Sequence, residues 1–118
     1  MASLNVHRAA AHEFEQLGRR LLNDPLPAWG AVLAFYAALH WVDAYLATRR
    51  VHPQRHRERL QRIASDQRLS PIGDRYKLLL NRSIAVRYED ERLRSNDVQD
   101  LLDRHLGAIR QHIQPLLP

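Results

Sequence analysis

The 118-residue chain has no cysteine, a single methionine and a single lysine, Lys77. Without cysteine it can build neither a disulfide frame nor a thiolate metal site, which agrees with a reducing cytoplasm. Its four glycines, Gly18, Gly30, Gly73 and Gly107, are scattered, so there is no glycine-rich phosphate loop. Ser3, Ser65, Ser70, Ser83 and Ser95 stand in no nucleophile motif. Runs of β-branched residues at period two are missing, and no strands are expected. Met1 to Arg8 contain no apolar core of the kind a signal peptide needs. The longest greasy stretch, Leu26 to Ala47, is interrupted by His40 and Asp43. It reads as a buried helix rather than a membrane span.

What the chain has is arginine. Its formal charge is +5, and of 18 basic side chains all but Lys77 are guanidinium groups. Planar, bidentate donors suit phosphate partners. An arginine bias of genomic origin gives the same count, and charge speaks to association rather than to fold. The length fits one domain over residues 1–118, with 45% hydrophobic residues to fill a core.

Turn signals divide the chain into about five helical segments. Leu4 to Asn23 carries His7, Ala10, Phe14, Leu17 and Leu21 on one face, and Asp24-Pro25-Leu26-Pro27 ends it. Ala28 to Arg50 is apolar around most of its circumference, the pattern of a central helix. Pro53 is the expected start of a short basic helix reaching Ala64. A fourth segment runs from Pro71 to about Arg92. Ser95-Asn96-Asp97 caps the last one, striped by Val98, Leu101, Leu102, His105, Ile109, Ile113 and Leu116. The expected fold is all-α, an antiparallel bundle of four to five helices.

Several residues are candidates for chemistry. Tyr76, Leu79 or Leu80, Ser83 and Arg87 share a helical face, so an apolar stripe ends in a hydroxyl and then a cation. Arg87 either reaches a solvated cleft and holds a phosphate, or pairs with Asp43 or another carboxylate inside the bundle. His40 lies three residues before Asp43, which can orient an imidazole for general-base work; a satisfied core histidine is the plainer reading. Arg49 to Arg62 form a basic patch that includes His52 and His56, either phosphate-facing or simply solvated. His52 and His56 have metal-ligand spacing, but Pro53 places His52 outside the helix, and no metal or cofactor is expected. His105 reads as structural. The carboxylates Glu89, Asp90 and Glu91 form a charged surface run and not a glycosidase pair.

Three stretches carry a family resemblance. They are Ala34-Phe35-Tyr36-Ala37-Ala38-Leu39-His40-Trp41-Val42-Asp43-Ala44-Tyr45-Leu46, then His52-Pro53-Gln54-Arg55-His56-Arg57-Glu58-Arg59, and Tyr76-Lys77-Leu78-Leu79 with Ser83-Ile84-Ala85-Val86-Arg87-Tyr88. In order and spacing they resemble a subgroup of the HEPN family, over about residues 28 to 113. The resemblance implies a HEPN-like dimeric helical bundle, often cleaving RNA without a metal, in toxin–antitoxin or phage-defence systems. It implies roles for His56, with His40 in reserve, as base or acid and for Arg87 as the cation. Arg49, Arg50, His52, Arg57, Arg59 and Tyr88 would hold the strand. Active members space an Arg and a His by four to six residues on a late helix. No His stands so after Arg82, Arg87, Arg92 or Arg94; Arg49 and Arg50 stand so before His56, across the proline break. The expectation is therefore a cytoplasmic, RNA-directed homodimer without a membrane segment, acting as a metal-independent endoribonuclease and held by an antitoxin or other protein partner. The alternative is a non-catalytic dimerisation, nucleotide-binding or partner-binding module. A DNA-binding regulator ranks last, since no paired turn helix precedes a recognition helix.

Overall fold

Apolar residues at helical spacing and proline-marked breaks leave the chain one efficient arrangement: helices stacked along their greasy faces. A computed structural model describes residues 2–118. Among them are five helices and no strand: α1 (Leu4–Arg20), α2 (Trp29–Thr48), α3 (His56–Ser65), α4 (Gly73–Tyr88) and α5. The last is continuous through Ser95–Asp100, a π-helical stretch Leu101–Leu106, and Gly107–Ile113. The fold is an all-α bundle.

The middle helix α2 is the axis, with α1, α4 and α5 packed around it. Phe35, Trp41, Val42, Tyr45 and Leu46 are sealed there against Tyr76 and Leu79 of α4 and Leu102, Leu106, Ile109 and Ile113 of α5. By length and composition Trp29–Thr48 is apolar enough to cross a membrane, but 78% of its apolar window is buried in the bundle.

Helix ends follow local chemistry. The Ser3 hydroxyl accepts from the Val6 amide (3.3 Å), satisfying one free donor at the start of α1. At the start of α5 the Asp97 carboxylate accepts from the Arg94 amide (3.1 Å), so of the expected capping cluster Asp97 closes the helix start, while the Ser95 hydroxyl donates to the Leu22 carbonyl (2.6 Å). Three expectations need correction. The α3 helix starts at His56, not Pro53; Pro53 is buried, and its carbonyl accepts from Arg59 Nη2 (3.3 Å). The α4 helix ends at Tyr88 rather than near Arg92, and Asp90 lies in the left-handed region (φ 53°) just beyond it.

The third correction concerns the face of α1. Its buried residues are Ala11, Glu15 and Gly18, whereas Leu17 is exposed. Small residues win because α1 and α2 approach closely: a Cβ on Gly30 would lie 2.8 Å from Val98 Cγ1 and 3.2 Å from the Gly18 carbonyl oxygen. The buried Glu15 is held by Arg19 Nη2 (2.9 Å) and Arg110 Nη1 (2.8 Å), which ties α1 to α5.

Candidate functional site

Asp43 decides how the neighbouring groups are arranged. It sits on the buried side of α2, where an unpaired carboxylate would be costly. Arg59 of α3 satisfies it with two parallel bonds, Nε to Oδ1 (2.7 Å) and Nη2 to Oδ2 (3.0 Å). Both side chains are more than nine-tenths buried. Arg59 is therefore not a strand-binding residue, as the sequence suggested, but the clamp that docks α3 on α2. Asp43 in turn neither orients His40 nor pairs with Arg87.

His40 has a different partner. Its Nδ1 lies 2.9 Å from Nδ1 of His7, which α1 brings in from 33 residues away. Only one of two facing nitrogens can carry a proton, so at neutral pH one ring is an Nδ1 tautomer and the other an Nε2 tautomer. Phe14 stacks on His40 at 5.4 Å with an interplanar angle of 13°. Burial pushes the pKa of both imidazoles below the ordinary value. Beside them opens a cleft of about 210 Å³ lined by His7, Asp43, Val51, His52 and Gln54.

Arg87, at the end of α4, is half-buried and has no carboxylate partner among the described residues. Its Nη1 donates to the Tyr36 hydroxyl (3.3 Å) and its Nε to the Ser83 carbonyl (3.3 Å). The guanidinium carbon lies 5.9 Å from the Tyr36 ring centre and 5.2 Å from that of Tyr88, within cation–π range of both. Tyr88 itself is 75% exposed. His56 stands at the start of α3, its ring centre 5.6 Å from that of Phe35. Partial burial lowers its pKa first, and the cations Arg59 and Arg87 lower it further.

Three imidazoles thus stand around the cleft, the His7–His40 pair and His52, while His56 stands against Phe35 at the start of α3. The Arg87 charge, at the end of α4, is felt at His56, where it helps to lower the imidazole pKa. Asp43 and Arg59 form the closed floor. Arg49 and Arg50 lie beyond Val51 in a neighbouring hollow, and Arg57 is exposed on α3. His7 was missed in the sequence because nothing local signals a partner 33 residues away. Among the described residues, no group of three or more His, Asp or Glu is arranged to hold a metal ion. Comparison of the chain with protein-family models, curated proteins and solved structures finds no match.

Proposed function

We propose that the chain is a HEPN-like, RNA-directed protein that cleaves RNA without a metal, in a toxin–antitoxin or phage-defence setting. The observation that carries this reading is Arg87: a guanidinium in no ion pair among the described residues, held on a tyrosine hydroxyl, whose charge helps to lower the pKa of His56.

The chemistry needs a base, an acid and a cation. A neutral imidazole removes the proton of a ribose 2′-hydroxyl, whose oxygen attacks the adjacent phosphorus. A protonated imidazole gives a proton to the departing 5′-oxygen. The products are a 2′,3′-cyclic phosphate and a 5′-hydroxyl end. A guanidinium stabilises the extra negative charge on the five-coordinate phosphorus. His56 is assigned as base or acid with His40 in reserve, and Arg87 as the cation. A lowered pKa keeps His56 neutral near pH 7, as a base requires. Tyr88 offers an exposed ring on which a base can stack, and Arg49, Arg50, His52 and Arg57 contact the strand. The homodimer belongs to this reading: Leu26 (67% exposed) and Trp29 (47%) at the entrance to α2 are apolar surface that a second copy would cover.

The lack of a His four to six residues beyond Arg87 favours a second reading, a non-catalytic module whose cleft binds a nucleotide or partner without cleavage. Incubation with labelled transfer RNA and total RNA in EDTA separates the two. Cleavage that is lost in His56→Ala and Arg87→Ala supports the enzyme. Wild type no better than the variants, with binding that falls steeply in salt, leaves the module.

A further inference from the structure

Across Val51 from the histidine cleft, at the far end of α2, lies a hollow of about 560 Å³ whose walls include Arg49, Arg50 and Arg62. A second hollow of about 510 Å³ shares Arg49 and Asp66 with it and adds Arg68. None of these four guanidinium groups takes part in an ion pair among the described residues. The one carboxylate present, Asp66, is already engaged. It accepts from the buried Tyr45 hydroxyl (3.0 Å) and from the amides of Arg68 (2.8 Å) and Leu69 (3.3 Å). Arg49 is held over the Tyr45 ring, 5.9 Å from its centre. Four guanidinium charges face one carboxylate, so cation self-repulsion here is only partly offset by the protein.

Arg50 provides an independent observation. It follows Arg49, the residue that closes α2, with its amide bonded to the Ala47 carbonyl (3.1 Å) and the Val51 amide to the Leu46 carbonyl (2.9 Å). That closure puts Arg50 in the left-handed region (φ 59°), where glycine is the unstrained choice. The chain keeps a strained arginine there, and its side chain lines the hollow. Strain retained at a position that glycine would relieve points to a use for the side chain.

We propose that this hollow is a binding site for a terminal cluster of phosphates, as carried by the 5′-triphosphate end of an RNA. Charge density favours a cluster over the interior of a strand. Interior phosphates bring one charge each, spread along the backbone, whereas several guanidinium forks around one hollow match several charges on adjoining phosphates. The proposal names the end of the strand held beside the cleft, and for the strand it rests on the RNA-directed reading above. A free polyphosphate presents the same chemistry.

Binding of inorganic tripolyphosphate and of a short RNA with either a 5′-triphosphate or a 5′-hydroxyl end is measured by calorimetry on the full chain. The probes meet wild type, Arg50→Gly, Arg62→Gln and, as a charge control, Arg92→Gln at a remote exposed position. Arg50→Gly and Arg62→Gln weaken tripolyphosphate and 5′-triphosphate RNA by about 10-fold, the loss of one charge-assisted contact. Arg50→Gly also raises the melting temperature by about 2 °C as the strain is relieved, so its lost binding is not misfolding. Tripolyphosphate bound with no preference for the 5′-triphosphate RNA assigns the site to free polyphosphates and overturns the strand-end claim. Equal weakening by Arg92→Gln, or unchanged binding by Arg50→Gly, overturns the site itself. Tripolyphosphate binding without any RNA cleavage removes the nuclease reading and leaves this site standing; RNA cleavage with unchanged Arg50→Gly binding does the reverse.

Discussion

Arg59 and Asp43 meet in a two-pronged ion pair, 2.7 and 3.0 Å, sealed between α2 and α3 beneath the histidine cleft. The pair fixes where α3 begins, and so where His56 stands. Breaking it strands a buried charge. Asp43→Ala or Arg59→Ala is expected to cost about 3–5 kcal/mol in urea unfolding, whereas the double replacement Asp43→Leu with Arg59→Met stays near neutral. A double variant as unstable as the singles would show that the pair does more than balance charge.

Close approach of α1 and α2 gives a second prediction. Alanine normally favours a helix by about 1 kcal/mol over glycine. At Gly30 the added methyl would meet the Gly18 backbone and Val98 within 3.2 Å, so overpacking of about 1–3 kcal/mol outweighs that gain. Gly30→Ala should melt lower than wild type. A higher melting temperature would mean that the helices part easily.

Stability should depend on pH through the imidazoles. Burial lowers the pKa of His7 and His40, and of His56 and His105 as well. In the unfolded chain these groups take up protons near pH 6.5, before the folded ones do. The unfolded state therefore binds more protons between that value and the depressed folded values. Stability falls as pH drops through this window and levels below it. Melting temperature is expected to be lower at pH 5 than at pH 7.5, with a shallower slope in a His7→Gln, His40→Gln variant. An unchanged slope would locate the titration elsewhere.

Helix number, the central place of α2 and the proline-marked breaks were legible in the sequence, because each depends on residues close together in the chain. Side-chain partners were not. Spacing suggested Asp43 for His40 or for Arg87, but the geometry of α3 delivers Arg59 to it. The face of α1 was misjudged toward Leu17, since apolar counting undervalues Ala11 and Gly18, whose smallness lets two helices touch. The last stripe slips at the π-helical stretch: Leu106 enters the core and His105 stays half-buried, its Nδ1 3.1 Å from Arg75 Nη1. His40 and His52 are separate candidates in the sequence; packing sets both beside one cleft and adds His7, while His56 stays with Phe35.

The central proposal is that the guanidinium at the end of α4 and the His56 imidazole, whose pKa it helps to lower, act on one phosphate. Single-turnover cleavage of labelled RNA in EDTA, wild type against Arg87→Ala, measures it most directly. Loss of transition-state charge stabilisation should slow cleavage by about 100-fold or more while the melting temperature stays within about 2 °C. Equal rates for the two proteins, or no cleavage by either, would contradict it.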